Sequence, residues 1–252
     1  MISYAKALDL LESAAIELGV ESISSLNALE RICAQDVFSP IALPSFDNSA
    51  MDGFAVRYSD TLSASQESPL ELRITEIIQA KASALKFAMA EAGGCCEIMT
   101  GAPIPAGYDA VIPIELVQLI ERDGQNYIQI KHAVKMHDNV RFSGEDVGLG
   151  ALLFKRGQQI QANDVMLLAS VGIVQLNVFK ALSLAIATTG EEISDNYAQE
   201  LQHGEIYNSN APLLMNLAAQ RCFAPRYAGI LRDHKTTLQE FIQTSSEQIL
   251  IT

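Results

Sequence analysis

The chain has 252 residues, of which 30 are acidic and 17 are lysine or arginine, so its formal net charge is −13. So acidic a chain lacks the basic face with which proteins bind nucleic acid, and nucleic acid is therefore not expected as a partner. No apolar run approaches the roughly 20 residues that a membrane-spanning helix needs, so no membrane partner is expected either. The length of 252 residues is enough for one large domain or two ordinary ones, and the hydrophobic content of 49% allows a sizeable core to be buried. Together these properties predict a cytoplasmic protein with carboxylates available for a metal ion.

The cysteines and histidines indicate neither a metal site nor a disulfide framework. Cys95 and Cys96 are adjacent, which makes a poor chelate and a strained disulfide, and Cys33 and Cys222 lie far from them. We therefore expect four reduced thiols. The histidines are dispersed along the chain, so structural or surface roles are expected for them.

The first predicted elements are helices. Residues 3–18 carry leucines and alanines at helical spacing, with Ser3 as the N-cap and Gly19 as the stop. A second helix is predicted over residues 26–34. Residues 36–44 are predicted to be extended because two prolines interrupt them.

The next stretch, residues 54–130, alternates short β-rich runs with Gly, Pro and Asp turns, among them a hairpin turn in RDGQN. We expect an inserted β-rich domain here, carried by an elongated N-terminal linker domain made of residues 1–53 and 131–177. Within the linker domain, NDVMLLASVG predicts a helix with Asn163 as N-cap and Gly172 as the stop.

From residue 178 the pattern becomes strand, helix, strand, helix, strand, which is typical of an open parallel sheet. Ligands bind such sheets at the carboxyl ends of the strands. The predicted fold class is therefore a multidomain protein, mostly β in its linker and inserted domains, with an open α/β domain at 178–252. Because the last strand, QILIT, ends the chain, we expect this third domain to be incomplete.

Two motifs concentrate polar turn chemistry. Residues 44–57, PSFDNSAMDGFAVR, crowd acidic and turn-forming side chains into a segment that can hold its polar groups rigidly. A satisfied turn between two domains is the alternative. Residues 98–112, IMTGAPIPAGYDAVI, end a predicted strand in Thr-Gly, whose hydroxyl and backbone amides suit an oxyanion or a phosphate. A plain β-turn explains the same residues.

Carboxylates recur in three further loops. Glu145 and Asp146 lie in RFSGEDVGLG, Glu191 and Glu192 end a predicted strand in ATTGEEIS, and Asp233 ends the next strand in ILRDHK. Carboxylates without cysteine or histidine are typical of a hard cation such as Mg²⁺, which is shared with substrate phosphates. The alternative for each acid is a solvated loop carboxylate or a helix N-cap.

Six segments carry a family resemblance, and they occur in this order: PSFDNSAMDGFAVR, IMTGAPIPAGYDAVI, GEDV, TTGEE, GEIYNSN and ILRDH. Together they resemble the MoeA family of molybdopterin molybdenumtransferases, which includes the gephyrin E domain. The resemblance covers essentially all 252 residues. In that family a Ser-Gly-Gly loop follows a strand similar to QILIT, which supports the expectation of an incomplete, MogA-like third domain.

The resemblance implies an enzyme of molybdenum cofactor biosynthesis. Members of the family insert molybdate into adenylated molybdopterin, with Mg²⁺-assisted hydrolysis of the adenylate and release of AMP. They are homodimers whose active site is shared between the sheet domain of one subunit and the acidic loops of the other. The molybdopterin adenylyltransferase is a further expected partner. Because the family's later residues lie beyond Thr252, we expect the 252-residue chain alone to be weak or inactive.

The resemblance also implies roles for individual residues. The predicted catalytic residues are Asp52, Thr100, Asp146 and Glu192. The predicted substrate-binding residues are Ser49, Gly101, Gly190 and Asp233. The predicted metal ligands are Asp52, Glu192 and Asp233. Two positions depart from the family pattern, because Glu191 and Asn208 stand where an aspartate is common.

Three functions are compatible with these motifs. The first is the transferase, the second is a non-catalytic scaffold or binding module of the same fold, and the third is a generic Mg²⁺-dependent phosphohydrolase. The retained acids Asp52, Asp146 and Glu192 favour chemistry over scaffolding. The sequence contains no P-loop or nucleophile motif, which disfavours the third function.

Overall fold

The structure is a computed structural model that describes residues 2–14, 16–80, 89–221 and 223–252. The chain divides into two compact units. The inserted unit is Phe38–Leu153, and the outer unit combines Met1–Val37 with Phe154–Thr252. The three domain boundaries predicted above divide the chain more finely and stay a prediction.

The helices and strands of the described residues are numbered in chain order. The helices are α1 (Tyr4–Ser13), α2 (Tyr58–Thr61), α3 (Ala162–Ser170), α4 (Asn210–Ala219) and α5 (Lys235–Thr244). The strands up to residue 130 are β1 (Val20–Ser24), β2 (Val37–Phe38), β3 (Asn48–Ser49), β4 (Gly53–Val56), β5 (Leu70–Ile78), β6 (Gly94–Ile98), β7 (Ala110–Pro113), β8 (Gln118–Arg122) and β9 (Gln125–Ile130). The later strands are β10 (Val140–Arg141), β11 (Leu152–Phe154), β12 (Gln175–Phe179), β13 (Ser183–Thr189), β14 (Ile193–Ser194), β15 (Ile206–Tyr207), β16 (Ala224–Leu231) and β17 (Ile249–Ile251).

The inserted unit is built on a six-stranded sheet in the order β7-β4-β6-β5-β9-β8. All of its strand pairs are antiparallel except β5 with β6. Phe54, Val56, Leu72, Ile128 and Ile130 are buried together in one core cluster. Burying side chains of this size supplies about 1.5–3 kcal/mol each. The predicted β-rich texture of this stretch is confirmed.

The predicted hairpin in RDGQN is also confirmed. Strands β8 and β9 pair antiparallel, with Arg122 opposite Gln125. The two turn residues, Asp123 and Gly124, have φ values of +53° and +74°. Positive φ at both central positions is the geometry that two-residue hairpins favour, and Asp-Gly adopts it readily.

The last part of the outer unit is a parallel sheet of three strands in the order β16-β13-β17. Helices α4 and α5 connect these strands in the predicted β-α-β-α-β order. Strand β13 is central, and its residues 184–188 are all buried, with the apolar run Leu-Ala-Ile-Ala at 184–187. Such a run is expected for a strand covered on both faces.

The helix predicted over residues 26–34 is wrong. A single 3₁₀ turn spans Ser25–Asn27, and Glu30 then has a φ of +63°. The backbone of Cys33 donates to the carbonyl of Gln158 at 2.9 Å instead of to its own preceding turn. Pairing with a distant segment has overridden the local helical pattern.

The predicted helix ends are partly confirmed. Ser3 caps α1 by accepting from the Lys6 amide at 3.2 Å, but the helix ends at Ser13, well before residue 18. Gln161 rather than Asn163 is the N-cap of α3, whereas Gly172 follows the end of that helix with a φ of +75°. Among the described residues, no helix is both long and apolar enough to cross a membrane.

Candidate functional site

Asp52 and Thr100, two predicted catalytic residues, are in direct contact. The amide nitrogen of Thr100 donates to Oδ1 of Asp52 at 2.7 Å, and the Thr100 hydroxyl donates to the same oxygen at 2.9 Å. The first of these bonds, with help from the second, lowers the pKa of the Asp52 carboxyl below its ordinary value. Asp52 is exposed, so the structure presents a fixed, ionised carboxylate at the surface of the inserted unit.

Gly53 determines the position of Asp52. It begins β4, which lies between β6 and β7, and a Cβ at this position would lie 2.0 Å from the carbonyl oxygen of Ile112. Only glycine allows the two strands to approach so closely. The carbonyl of Asp52 also accepts from the Ile114 amide at 3.0 Å. Asp52 is therefore held on both its backbone and its side chain.

The short strand β3 connects the loop that carries Thr100 with the segment that begins at Arg141 and carries Glu145 and Asp146. Ser49 exchanges backbone hydrogen bonds with the Thr100 loop, to Gly101 at 2.8 Å and Ala102 at 3.0 Å. In the same unit, Asn48 lies opposite Arg141 in the β3–β10 pair. The Ser49 hydroxyl is buried and donates to the carbonyl of Met51 at 2.6 Å, so in this structure its role is to hold the turn before Asp52.

Arg141 holds the loop that carries Glu145 and Asp146. Its guanidinium donates to Oδ2 of Asp146 at 2.7 Å and also forms a short hydrogen bond with Glu145. Glu145 in turn accepts from the Phe142 amide at 3.0 Å. The planar fork of arginine suits two carboxylates at once. Arg141 therefore sets the direction of the predicted catalytic residue Asp146.

The remaining predicted site residues lie in the outer unit, just past the carboxyl ends of β13 and β16. These strands are neighbours, with Thr189 opposite Leu231, so Glu192 and Asp233 follow adjacent strand ends. Both side chains are exposed, and neither accepts a hydrogen bond from a residue that the structure describes. Gly190 has a φ of +144°, and a Cβ there would lie 2.8 Å from either carboxylate oxygen of Glu192.

A pocket of about 350 Å³ opens at the same strand ends. Thr188, Thr189, Ile193 and Asn210 are among the residues that line it. Open parallel sheets bind their ligands in this position. The location agrees with the prediction that the strand ends of this unit contribute to binding.

A polar network includes Thr188, one of the residues that line this pocket, and its centre is Asn208, which is only 2% exposed. Its side-chain nitrogen donates to Oδ1 of Asp195 at 2.7 Å and to the Tyr227 hydroxyl at 2.8 Å. The Tyr227 hydroxyl donates to Oδ2 of Asp195, also at 2.7 Å, and it lies 3.2 Å from the Thr188 hydroxyl. Burial, together with the nearby Asp195 carboxylate, raises the pKa of the Tyr227 hydroxyl.

The network also caps a helix. The side-chain oxygen of Asn208 accepts from the Ala211 amide, which lies in the first turn of α4, at 3.1 Å. Asn208 thus performs the N-cap function that the sequence pattern did not assign to it.

The predicted metal ligands fall in both units, Asp52 in the inserted unit and Glu192 and Asp233 in the outer unit. Within the described ranges, no three side chains of His, Cys, Asp or Glu lie close enough together to hold a metal ion. Each predicted ligand nevertheless has an exposed carboxylate oxygen that accepts no hydrogen bond from the described part of the chain. Such oxygens fit Mg²⁺, which keeps several waters and needs only one or two protein carboxylates.

The cysteines of the described residues are free and buried, namely Cys33, Cys95 and Cys96. Burial, together with the neighbouring Cys96 and Glu97, raises the pKa of the Cys95 thiol to about 12. A thiol that holds its proton so strongly is a poor nucleophile. The expectation for Cys222 concerns a position outside the described residues.

The structure thus brings together Asp52 with Thr100 and places Asp146 in a loop anchored to the same strand, β3. Arg141 was not predicted as a site residue, although its spacing of four and five residues from Glu145 and Asp146 indicates the ion pairs. Asp195 and Tyr227 were not predicted either, because they come from distant segments and carry no local signal.

Comparison with known proteins places this architecture in a family. The family model described as "MoeA N-terminal region (domain I and II)" matches residues 2–172. The chain belongs to the MoeA family. The recognition from sequence and the predicted fold class are both confirmed.

Several MoeA proteins resemble the chain over most of its length. Molybdopterin molybdenumtransferase of Synechococcus elongatus is 35% identical over 217 residues, which are 85% of this chain and 53% of that protein. The protein of the same name from Haemophilus influenzae is 35% identical over 245 residues, which are 96% of this chain and 57% of that protein. This MoeA chain spans about half the length of the curated relatives it matches.

Two crystal structures of the molybdopterin biosynthesis protein MoeA from Pyrococcus horikoshii share the fold. One has a TM-score of 0.87 at 28% identity and covers 99% of this chain and 65% of its own. The other has a TM-score of 0.82 at 32% identity and covers 99% of this chain and 62% of its own.

Proposed function

We propose that this MoeA chain acts in molybdenum cofactor biosynthesis in the cytoplasm, as a molybdopterin molybdenumtransferase. The proposed reaction is the insertion of molybdate into adenylated molybdopterin, with hydrolysis of the adenylate and release of AMP. Relatives that are 35% identical carry the name molybdopterin molybdenumtransferase, which supports the assignment.

The observation that carries the proposal is the contact between Asp52 and Thr100. Two donors of Thr100 bind one oxygen of the Asp52 carboxylate. This carboxylate is therefore fixed more firmly than a surface charge that serves only solubility needs to be. Both residues belong to motifs that are specific to the family. A scaffold has no need to fix the direction of an exposed carboxylate, so the contact favours catalysis over a scaffold role.

The proposed roles follow from what each group can do. Asp52, Glu192 and Asp233 are proposed to hold Mg²⁺, which when bound polarises the adenylate phosphate. Thr100 orients Asp52, and the amides beside Gly101 offer donors to an oxyanion. Asp146, directed by Arg141, is proposed to face the reacting groups. Ser49 acts on substrate through the turn it holds, and Gly190 allows the backbone to approach the ligand.

The net charge of −13 gives the proposed metal an additional task. Molybdate and the adenylate phosphate are both anions, and the overall field of the chain repels them. A divalent cation held by Asp52, Glu192 and Asp233 would offset the negative charge locally. We therefore propose that binding of the anionic substrates depends on Mg²⁺.

A homodimer with an active site shared between subunits is proposed for the assembly. Helix α1 supports this proposal, because none of its residues is buried, and Tyr4 and Leu11 are 81% and 71% exposed. Apolar helix faces of this kind commonly cover each other in symmetric dimers. The molybdopterin adenylyltransferase is proposed as a further partner, since it would deliver the adenylated substrate.

Reconstitution of cofactor tests this function. The protein, in the form in which cells make it, is incubated with adenylated molybdopterin, Mg²⁺ and molybdate, and the product is offered to a cofactor-free molybdenum enzyme. Activation of that enzyme is expected, with the 252-residue chain weaker than any longer form. Activation that is unchanged in Asp52→Asn and Glu192→Gln would contradict the proposed roles and favour the scaffold.

A further inference from the structure

The turn that carries Glu192 is attached to its surroundings at several points, and most of them involve Asn208. The carbonyl of Glu192 accepts from the Ile206 amide at 2.8 Å, and the carbonyl of Ser194 accepts from the Asn208 amide at 2.9 Å. These bonds belong to the short parallel pair of β14 and β15. The turn is therefore fastened by its backbone to the segment that ends at Asn208.

The side chain of Asn208 extends this attachment to the rest of the sheet. Its nitrogen lies 3.2 Å from the Thr188 hydroxyl at the end of β13, and it donates to Tyr227 on β16 at 2.8 Å. It also donates to Asp195, directly after the turn, at 2.7 Å. One buried amide thus contacts the strand before the turn, the residue after it and the neighbouring strand.

The donors and acceptors of this network can all be satisfied together. In one such arrangement the two amide protons of Asn208 are donated to Asp195 and Tyr227, and the single proton of the Tyr227 hydroxyl is donated to Asp195. The Thr188 hydroxyl then donates to Tyr227. Both oxygens of Asp195 accept hydrogen bonds within the network, so this carboxylate helps to hold the network together.

We propose that Asn208 is the positioning residue for Glu192, which it fixes over the ends of β13 and β16 through Asp195 and Tyr227. The inference rests on the proposed function, because Glu192 counts as a catalytic group only there. It assigns a structural task to Asn208, Asp195 and Tyr227. At position 208 an ionised aspartate would have no proton to donate to Asp195, whereas the amide of Asn208 has two.

Amide hydrogen exchange of the full chain tests the positioning independently of activity. Asn208→Ala and the milder Tyr227→Phe are expected to lower the protection factors of the backbone amides at positions 206 and 208 by about tenfold or more. These amides donate to the carbonyls of Glu192 and Ser194, and local opening of the turn no longer has to break the network. Protection in the centre of β13 is expected to stay unchanged. Asn216→Ala on the exposed face of α4 and Tyr127→Phe in the inserted unit are the matched controls.

Asn208→Asp provides a pH-dependent readout that a merely structural role of Asn208 would not produce. The new carboxyl would face the Asp195 carboxylate and the Tyr227 hydroxyl, with the Tyr197 hydroxyl on its backbone carbonyl. At pH 5 a shared proton restores one donor, whereas at pH 8 the two carboxylates repel. Protection of the backbone amides at positions 206 and 208 in this variant is therefore expected to be near that of the wild type at pH 5 and lost at pH 8.

The kinetic expectation is a fall in kcat by about ten- to a hundredfold in Tyr227→Phe with a much smaller change in KM, as for other residues that orient a reacting group. Unchanged protection of the backbone amides at positions 206 and 208 in both Asn208→Ala and Tyr227→Phe would overturn the inference, and so would an equal loss across the whole sheet. A wild-type protein without transferase activity would refute the proposed function instead, and the exchange result would still decide the positioning.

Discussion

Asp52 and Thr100 meet at a single carboxylate oxygen, which accepts from the Thr100 amide at 2.7 Å and from its hydroxyl at 2.9 Å. The other oxygen of Asp52 accepts no hydrogen bond from the described residues and stays exposed. One oxygen of the carboxylate is therefore used in the Thr100 contact, and the other is free for a ligand. This division connects the two motifs of the inserted unit in one chemical group.

The first prediction concerns pH. The pKa of Asp52 is lowered, so its ionised form stabilises the folded state above the ordinary carboxyl pKa of about 3.9, and this contribution is lost as the pH falls through the lowered folded value. Asp52→Asn is therefore expected to lower Tm at neutral pH, and the difference from the wild type should close below about pH 4. Thermal unfolding of both proteins from pH 3 to pH 8 measures this difference in Tm.

Glu121→Gln is the control for that series. Glu121 is an exposed carboxylate on β8, at the edge of the same sheet, and its side chain has no hydrogen-bond partner among the described residues. Its Tm difference from the wild type is expected to be small at every pH. A pH-independent difference for Asp52→Asn would show that the Thr100 contact does not hold the charge.

The second prediction concerns Gly53. In Gly53→Ala the new methyl group would lie 2.0 Å from the Ile112 carbonyl oxygen, so β4 and β7 must separate. We expect a loss of about 3 kcal/mol in the free energy of unfolding, at the upper end of overpacking effects. Gly148→Ala, where a Cβ meets nothing within 4 Å, is expected to be neutral or to stabilise by up to about 1 kcal/mol. Equal stabilities of the two variants in urea unfolding would refute the close approach.

The third prediction concerns the arginine that spans two acids. Arg141→Gln is expected to cost about 1 kcal/mol or less in stability, because the ion pairs are exposed, but to reduce transferase activity far more. Arg141→Lys should be nearly as damaging, since an ammonium cannot reproduce the fork that holds Glu145 and Asp146. Arg122→Gln, which breaks an exposed pair with Glu71, should leave activity unchanged. Full activity in Arg141→Lys would mean that only the charge matters.

The fourth prediction tests the shared active site. Asp52→Asn and Glu192→Gln are each expected to be inactive, but subunits mixed and allowed to exchange at equal concentrations should recover about a quarter of the wild-type activity. One site of each mixed dimer would then combine two intact residues. A mixture that stays inactive after confirmed exchange would place both residues in the same subunit's site.

The periodic elements of the fold were accessible from the sequence. The apolar run of β13 and the Asp-Gly turn after β8 each follow from local chemistry, so their prediction succeeded. The helix expected over residues 26–34 failed because Cys33 pairs with a segment more than a hundred residues away, and Glu30 takes a positive φ. Local propensity carries no information about such a partner.

The candidate site was predictable to a similar extent. Motif resemblance pointed to Asp52 and Thr100, but only the structure shows that they share one oxygen. The network of Asn208, Asp195 and Tyr227 had no sequence signal, because its members lie on different elements and meet only after the sheet forms. At position 208 the sequence indicated a missing acid, whereas the structure shows an amide whose two protons are both used.

The most direct test of the proposed transferase is AMP release from adenylated molybdopterin in the presence of Mg²⁺, with and without molybdate. The wild-type protein is compared with Asp52→Asn and with the control Glu121→Gln. We predict molybdate-dependent release by the wild type and the control, and its loss in Asp52→Asn. Release that is independent of molybdate, or equal in all three proteins, would contradict the account.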